Sequence, residues 1–435
     1  MPLYEWQEGH AEKLVKALEE HGVAKDGSDT GTGKTVIAMD CAKRMFMTPF
    51  VVAPKAVLPA WREWYENYFP LADEHFVFNY EKLRMGGTQY LRKHGRDFRW
   101  RLNPKRVMLI FDEVHRCKGE RSLNSKMLAS AKRMGFKILM LSATACANPT
   151  EMKALGYALG LHDYSGWWKW CLGNGCRKGF FGGLQFRNDQ KTLHYLHDSI
   201  YGSGGRGSRI RISDLGDAFP ETLITAESYD VASPKEIDRI YKEMQDELDA
   251  LAEKSSDDPD SPLVAQLRAR QQVELFKVPV FVDLVGDAYE AGNSSVVFVS
   301  FRQTLEGLRE RLRASGMEDI SLIHGDQTDE ERKDNVASFM GDTNRICLCM
   351  TQAGGTGLSL HDRTGQHPRV SFVSPTFSAI ELRQALGRVH RADGKSKSVQ
   401  RIVFAAGTVE DRVCVAVRRK LDNLDMINDG ELTPF

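Results

Sequence analysis

Residues 28–35 read Ser-Asp-Thr-Gly-Thr-Gly-Lys-Thr. This fits the phosphate-loop pattern G-x-x-x-x-G-K-[ST], except that Ser28 stands in place of the first glycine. Backbone N–H groups of such a loop hold phosphate oxygens together with the N-terminus of the next helix, which residues 35–39 predict. A glycine- and threonine-rich turn ahead of an ordinary helix is the alternative for the motif alone. The predicted nucleotide ligands are Thr30, Gly31, Thr32, Gly33, Lys34 and Thr35.

The chemistry expected at this loop needs a cation, a metal ligand and a carboxylate. Lys34 would neutralise the β- and γ-phosphate oxygens of ATP, and the Thr35 hydroxyl would complete a Mg²⁺ shell made mostly of water and phosphate. The apolar run 107–111 is a predicted buried strand that ends at Asp112 and Glu113. Ligands bind at the carboxyl ends of such strands, so Asp112 suits the Mg²⁺ shell and Glu113 the attacking water. A solvated helix N-terminus would explain the two acids by themselves.

Near the other end of the chain, residues 384–391 read Gln-Ala-Leu-Gly-Arg-Val-His-Arg. We predict a helix after Gln384 on which Arg388 and Arg391, three residues apart, share one face. Guanidinium groups match phosphate oxygens well. Both arginines could therefore act on a γ-phosphate bound by the distant phosphate loop, with the nucleotide clamped between two lobes. A solvated basic helix is the ordinary alternative.

Short apolar runs alternate with helix-like stretches in both halves of the chain. The runs are 50–53, 107–111 and 137–141 in the first half, and 296–299, 321–323, 345–349, 370–373 and 402–404 in the second. This alternation predicts the α/β class, with parallel sheets covered by helices. The intervening residues are glycine- and tryptophan-rich from 166 to 207, helical with an apolar face from 237 to 251, and predicted loop from 253 to 262. The predicted domains are residues 1–160, an insertion at 161–292, and residues 293–435.

Composition leaves several functional classes unsupported. The 59 Lys and Arg residues balance 59 Asp and Glu residues, so a polyanion would have to be held by local basic patches. The eight cysteines lack the repeated spacing of a zinc site, and we expect reduced thiols. His194 and His197 have no acidic or cysteine partner that completes a metal set. No apolar run approaches a membrane span, and we expect a cytoplasmic protein, in the host cytoplasm if viral.

The ordered series of motifs resembles that of superfamily-two helicases and translocases, related to DEAD- and DEAH-box proteins, and most of all their SWI/SNF-like branch. The resemblance covers nearly the whole chain. The matching stretches are Trp6-Gln7, Val52-Ala53-Pro54-Lys55 with Trp61, Asn79-Tyr80-Glu81-Lys82-Leu83, Asp112 to His115, Ser142-Ala143-Thr144, Phe298-Val299-Ser300, Ile323-His324-Gly325-Asp326, Thr351 to Leu358, and Gln384 to Arg391.

The resemblance implies two RecA-like lobes with Mg²⁺-ATP at their interface and a nucleic-acid strand held mainly through its backbone. It adds Trp6, Gln7 and Gly357 to the nucleotide ligands, and it implies catalytic roles for Glu113, Lys34, Gln384, Arg388 and Arg391. It implies coupling roles for His115, Ser142 and Thr144. The implied nucleic-acid contacts are Pro54, Lys55, Tyr80, Ser300, Arg302, Gly325, Thr351, Gln352 and Gly354.

Several departures from the pattern of the SWI/SNF-like branch indicate a small motor. Asp393-Gly394-Lys395 replaces the usual Gly-Gln after the last arginine, and Ser142-Ala143-Thr144 replaces the Gly-Thr-Pro common in remodellers. The chain has no room for the chromatin-reading domains of large remodellers. We therefore expect a stripped motor of the viral, phage or bacterial type, and a monomer.

Two further stretches have open interpretations. Residues 84–106 hold eight Lys and Arg residues with Asp97 as the one acid, and they either contact phosphates or form a solvated, ion-paired face. The tryptophans at 167, 168 and 170 either stack on bases or pack inside the insertion, and packing is the favoured interpretation.

We predict an ATP-dependent DNA helicase or translocase. An RNA helicase is the alternative within enzymes, because motors that follow the backbone read little base identity. A nucleotide-gated clamp that holds nucleic acid or another partner is the alternative outside motors. Glu113, Gln384 and the two arginines argue against such a non-hydrolysing clamp.

Overall fold

The computed structural model describes residues 3–72, 74–86, 88–95, 97–143, 145–179, 183–218, 222–253, 261–354, 358–375, 379–391, 394–408, 410, 414–415 and 419. These residues form two compact units, which divide between Gly216 and Asp217. The three-part division at residues 160 and 292 stays a prediction.

The first unit is built on a parallel six-stranded sheet. Its strands are β1 (Val23–Asp26), β2 (Thr48–Ala53), β3 (Val77–Asn79), β6 (Val107–Asp112), β7 (Lys137–Leu141) and β10 (Gly207–Ser208), in the order β10-β1-β7-β6-β2-β3. Its helices are α1 (Glu5–His21), α2 (Lys34–Arg44), α3 (Leu58–Tyr68), α4 (Tyr80–Arg84), α5 (Leu123–Arg133), α6 (Lys153–Ala158), α7 (Trp167–Gly173) and α8 (Gln190–Tyr201). Antiparallel hairpins join β4 (Leu91–His94) to β5 (Asp97–Trp100) and β8 (Cys176–Lys178) to β9 (Leu184–Phe186).

The second unit has its own parallel six-stranded sheet. Its strands are β11 (Thr222–Tyr229), β12 (Ser294–Val299), β13 (Ile320–Ile323), β14 (Ile346–Met350), β15 (Arg369–Val373) and β16 (Ser398–Ala405), in the order β11-β16-β15-β12-β14-β13. Its helices are α9 (Pro234–Glu253), α10 (Ser261–Phe276), α11 (Val278–Glu290), α12 (Arg302–Ala314), α13 (Asp329–Met340), α14 (Thr351–Gly354) and α15 (Ala379–Leu386).

The apolar runs form these sheets because helices cover both faces. Residues 108–111 of β6 and 296–299 of β12 have no exposed surface, and the energy of burying such side chains is the main stabilising term of a sheet core. Every predicted strand is present, and both sheets are parallel. The predicted α/β class is confirmed.

The insertion differs from its prediction at one point. The helix predicted at 237–251 is α9, but Glu253 ends α9 and Pro262 lies in α10, so the predicted loop is wrong at both ends. Residues 254–260 lie outside the described residues. Trp167 is buried beside Cys171 and Cys176, as packing predicts, whereas Trp168 is 36% exposed. Among the described helices, none is both long and apolar enough to cross a lipid bilayer.

Candidate nucleotide-binding site

The phosphate loop joins β1 to α2 and has the backbone that phosphate binding needs. Gly31 and Gly33 have φ angles of 97° and 83°, which glycine adopts without the steric cost of a Cβ atom. A Cβ at Gly33 would lie 2.4 Å from Nε2 of Gln7. The loop therefore forms a tight cradle at the N-terminus of α2, where N–H groups attract anions. This geometry fits the triphosphate of a nucleotide.

Lys34 is the first residue of α2, and its ammonium group folds back over the loop. Its Nζ donates hydrogen bonds to the carbonyl oxygens of Ser28 and Asp29, both at 2.9 Å. Burial lowers the pKa of Lys34, while the negative charges of Asp26, Glu113 and Asp112 oppose the shift. The cation thus interacts electrostatically with nearby carboxylates, in addition to its hydrogen bonds with the loop.

Gln7 and Trp6 lie next to this cradle, at the start of α1. Gln7 is buried, and its side-chain nitrogen donates to the carbonyl oxygen of Thr32 at 3.0 Å. Trp6 stacks on Tyr4, with ring centroids 5.6 Å apart and planes at 5°. Tyr4 is 69% exposed. It was not predicted from the sequence as part of the site, although its aromatic ring two positions before Trp6 could have suggested the stacking. Adenine recognition by Trp6 and Gln7 stays a prediction.

Asp112 ends β6 at the carboxyl edge of the sheet. Its Oδ2 accepts a hydrogen bond from the indole nitrogen of Trp61 at 2.8 Å, and its Oδ1 accepts one from the backbone of Glu113 at 2.9 Å. Burial, and then the charge of Glu113, raise the pKa of Asp112 to about 6. A carboxylate in this setting is stabilised by a nearby cation, as its predicted role in a Mg²⁺ shell requires.

Glu113 has φ 50° and ψ 51°, a left-handed conformation that residues other than glycine seldom adopt. Such strain costs about 1–3 kcal/mol and concentrates at functional sites. The turn directs the Glu113 carboxylate toward His115, with Oε2 3.2 Å from Nδ1. The same Nδ1 lies 3.4 Å from Oγ of Ser142 at the end of β7. The predicted coupling residues thus form a short chain from Glu113, although Thr144 lies outside the described residues.

Residues 206–212, which include the edge strand β10 next to β1, hold the phosphate loop. Arg209 donates to the carbonyl oxygen of Gly27 at 2.6 Å and to Oδ1 of Asp29 at 2.9 Å. Asp29 also accepts the backbone N–H of Ile212 at 2.9 Å and donates its own to Ile210 at 3.0 Å. These residues were not predicted as part of the site, because about 180 positions separate them from the loop in the sequence.

Ser28, the departure from the phosphate-loop pattern, is fully buried and has a structural role. Its Oγ accepts the backbone N–H of Ile210 at 3.0 Å and lies 3.2 Å from Nε2 of His10. His10 in turn bonds Oγ of Ser208 at 2.8 Å and lies 3.2 Å from Oδ1 of Asp26. Burial by itself would raise the pKa of Asp26, but the charge of His10 and its hydrogen bond, together with the charge of Lys34 and a hydrogen bond from Ser28, lower it to about 2.

In the second unit, the helix that was predicted to carry Arg388 and Arg391 ends before either residue. Helix α15 stops at Leu386, and Gly387, a poor helix former, follows it. Arg388 and Arg391 therefore do not share a helical face, and that prediction is wrong. Both are nevertheless brought together, because each donates to the carbonyl oxygen of Leu358, at 3.2 and 3.0 Å. Gln384 is buried in α15, and Gly357 lies outside the described residues.

The predicted nucleic-acid residues fall into two groups. Lys55, Arg302, Gly325 and Gln352 are exposed, Ser300 is half-buried, and Gly354 ends α14. Pro54, Tyr80 and Thr351 are buried.

The Tyr80 and Thr351 side chains are hydrogen-bonded inside the protein, and their contact with nucleic acid stays a prediction. Tyr80 packs in the core and donates its hydroxyl to the carbonyl oxygen of Asp112 at 2.8 Å. The Thr351 hydroxyl donates to the carbonyl oxygen of Val299 at 3.1 Å. Both residues stabilise the ends of strands in this way.

Family models and relatives match the chain along its length. The model described as Type III restriction enzyme, res subunit, matches residues 1–146, and the model described as Helicase conserved C-terminal domain matches residues 277–393. A protein of Acanthamoeba polyphaga mimivirus that carries the provisional name ATP-dependent RNA helicase is 30% identical over 99% of this chain and 84% of its own length. The chain belongs to the superfamily-two helicase-like ATPases.

This helicase-like ATPase also resembles more distant proteins. The chromatin-remodeling ATPase INO80 of Cryptococcus neoformans is 27% identical over 40% of this chain and 10% of its own length. S. cerevisiae Dbp5 bound to RNA and ADP BeF3 has a TM-score of 0.51 at 13% identity, over 95% of this chain and 87% of that chain. A Dbp5 variant in the same bound state gives 0.52 at 12%, over 97% and 91%. At these identities the likeness concerns the fold, and the two sheets are RecA-like lobes, as predicted.

Proposed function

We propose that this helicase-like ATPase hydrolyses Mg²⁺-ATP to move along or remodel DNA. The observation that carries the proposal is the convergence of Lys34, Asp112 and Glu113 at a phosphate loop. One cation and two carboxylates interact there in a partly desolvated setting. Phosphoryl transfer is catalysed mainly by positioning and charge neutralisation, and this arrangement supplies both.

Each residue of the first unit has a defined part in the proposal. Mg²⁺-ATP would supply the reactive γ-phosphoryl group. The N–H groups at the start of α2 and the Lys34 ammonium would bind the phosphate oxygens, and the Thr35 hydroxyl and Asp112 would hold the metal, partly through water. Glu113 would orient the attacking water and accept its proton. The strained backbone of Glu113 supports this part, because it fixes the direction of the carboxylate.

The second unit contributes Gln384, Arg388 and Arg391 in the proposal. A guanidinium group can stabilise the charge that develops on the transferred phosphoryl group. The two arginines already share one carbonyl acceptor, that of Leu358.

DNA is proposed because the motifs resemble those of the SWI/SNF-like branch and because part of the chain matches INO80. RNA is the second candidate, since the mimivirus relative is named as an RNA helicase. A non-hydrolysing clamp is disfavoured by the presence of Glu113. A monomeric protein in the cytoplasm, the host cytoplasm if viral, completes the proposal.

The test is steady-state ATP hydrolysis without nucleic acid and then with single-stranded DNA, duplex DNA, forked DNA and single-stranded RNA, at low and moderate salt. We expect at least one DNA form to stimulate turnover strongly. Stimulation by RNA alone would replace DNA with the second candidate. Equal rates in all conditions would contradict a nucleic-acid motor and leave a two-lobed ATPase with another partner.

A further inference from the structure

The β4–β5 hairpin of the first unit is anchored on one side and open on the other. Leu91 and Trp100 form a cross-strand pair, and both are buried in the core of the unit. The next pair, Arg92 and Arg99, faces the opposite way and is exposed. Alternation of side chains along a strand explains this division. The hairpin therefore presents a basic outer face on a rigid support.

Six basic side chains of this region share two properties, which are exposure to solvent and the lack of an ionic partner among the described residues. Arg92, Lys93, Arg99, Arg101, Lys105 and Arg106 are all exposed. Within the described ranges of the chain, none of these six side chains takes part in an ion pair. Asp97, the one acid of the hairpin, pairs with Arg133 of α5. We call these six residues the basic hairpin surface.

Several half-buried cations elsewhere in the first unit are ion-paired. Arg44 pairs with Glu8 and Asp40, Arg116 with Glu81, Lys118 with Glu151, and Lys153 with Glu120. In the hairpin, by contrast, Arg92 lies directly opposite Arg99. Like charges in that position destabilise a strand pair. An external anion would relieve the repulsion that the protein leaves uncompensated.

A shallow cleft lies beside the basic hairpin surface. It is lined by Met85, Gly86, Thr88, Gln89, Arg92 and Lys93, and Met85 is 77% exposed. Cations next to hydroxyl and amide groups suit a sugar–phosphate backbone, which is contacted without reading the sequence. Four of the six cations are arginines, whose planar guanidinium group binds phosphate in a bidentate manner.

We propose that the basic hairpin surface is an accessory nucleic-acid-binding surface, which holds the phosphate backbone independently of base sequence. It is separate from the motif residues expected to contact nucleic acid, such as Lys55. The surface follows α4 directly, and α4 is fixed in the core by Tyr80 and Leu83. The inference rests on the proposed function, since it requires that the chain acts on nucleic acid.

The test is the affinity of the full chain for fluorescein-labelled duplex and single-stranded DNA, measured by fluorescence anisotropy over a series of salt concentrations. We compare wild type with Arg92→Glu/Arg99→Glu. Loss of two phosphate contacts should reduce the slope of log K against log salt by about 2, to a similar extent for unrelated sequences. ATP turnover without nucleic acid should not change, because neither arginine belongs to the predicted ATP site.

Two further variants make the test specific. Arg187→Glu/Lys191→Glu has the same change in net charge at exposed positions elsewhere in the first unit, and it should keep the wild-type slope. Arg92→Lys/Arg99→Lys keeps the charge and should keep most of the slope. If reversal of the charge at Arg92 and Arg99 disturbs the folding of the hairpin, the variant Arg101→Glu/Lys105→Glu/Arg106→Glu makes the same test at positions outside its strands.

The outcomes separate the inference from the proposed function. If wild type neither binds nucleic acid nor is stimulated by it, the proposed function fails. If wild type binds but the hairpin variants keep its affinity and slope, the accessory surface is wrong and the motor stands. An equal loss in the Arg187→Glu/Lys191→Glu control would show a general charge effect and would also overturn the surface. Unchanged DNA binding with lost binding to anionic vesicles would assign the surface to membranes.

Discussion

The phosphate loop and the basic hairpin surface both belong to the first unit, but their charged groups differ in burial and in pairing. At the loop, Lys34 and Asp29 are bonded to protein groups, and the nearby Asp26 is buried. At the hairpin, six cations are exposed and lack ionic partners in the part of the chain that the structure describes. The same unit thus contains one group of charges that are bonded within the protein and another group that is exposed to solvent.

The difference separates two tasks. Charges that act on a reaction are most effective when the protein has already oriented them away from water, because no reorganisation is then needed during the reaction. Charges that attract a polyanion are most effective when they are accessible, because binding then releases counterions. Paired groups that are half or fully buried at the loop therefore indicate chemistry, and exposed groups without ionic partners among the described residues indicate docking at the hairpin.

The largest expected effect comes from a substitution among the charged residues near the phosphate loop. Glu113→Gln keeps the size of the side chain but removes its capacity to accept a proton from water. ATP turnover should fall about 1000-fold, or ~4 kcal/mol in activation free energy, with the fold retained. The measurement is steady-state turnover at saturating ATP. Glu120→Gln, which removes a surface ion pair with Lys153, is the matched control; an unchanged rate in Glu113→Gln would mean that another group activates the water.

The next effect concerns a buried charge near the loop. Burial lowers the pKa of Lys25 to about 8, and its Nζ donates to the Tyr201 hydroxyl. Between pH 8 and 10.5 the unfolded chain keeps the proton that the folded chain has released, so the stability contributed by Lys25 rises with pH. Relative to Lys25→Met, wild type should gain up to about 3 kcal/mol over this range.

Urea titration followed by tryptophan fluorescence measures this gain in the intact chain. All seven tryptophans lie before residue 171, so the signal reports the first unit. Parallel pH dependence of wild type and Lys25→Met would show that the amine is not desolvated as the structure indicates.

A smaller effect is expected where distant residues hold the loop. Arg209→Ala removes the guanidinium group that donates to Asp29 and to the carbonyl oxygen of Gly27. The apparent KM for ATP should rise about tenfold, since loop geometry controls phosphate binding. The double variant Asp29→Ala/Arg209→Ala should be little worse than Arg209→Ala, with a coupling energy of about 1–2 kcal/mol. Arg209→Lys keeps the charge but loses the two-acceptor geometry, and should fall in between. Additive effects would show that the two residues act independently.

The smallest effect tests the unusual serine. Ser28→Gly restores the common phosphate-loop residue but removes the hydroxyl that bonds Ile210 and His10. Stability should fall by about 1–2 kcal/mol, while turnover at saturating ATP stays near wild type. Ser28→Ala separates the lost hydroxyl from the added backbone freedom of glycine. A large loss of turnover in Ser28→Ala would show that the hydroxyl takes part in catalysis and would contradict its purely structural role.

Much of this arrangement could be predicted from local patterns. The run 107–111 predicts a buried strand because its side chains are uniformly apolar, and the carboxylates after it must then lie at the sheet edge. The glycines and Lys34 predict a phosphate loop, because the motif depends on backbone conformations that its own residues determine. Helix α15 was predicted too long, since helix ends depend on capping and on contacts outside the local sequence.

The sequence by itself determined the α/β class, the strands, the phosphate loop and the carboxylates that accompany it, because each depends on neighbours a few positions away. Only the tertiary structure decided that residues 206–212 hold the loop, that Tyr80 supports Asp112 from within the core, and that the six cations of the basic hairpin surface lack ionic partners among the described residues. Such contacts join residues far apart in the chain, and their energies depend on burial and distance, which a linear sequence does not contain.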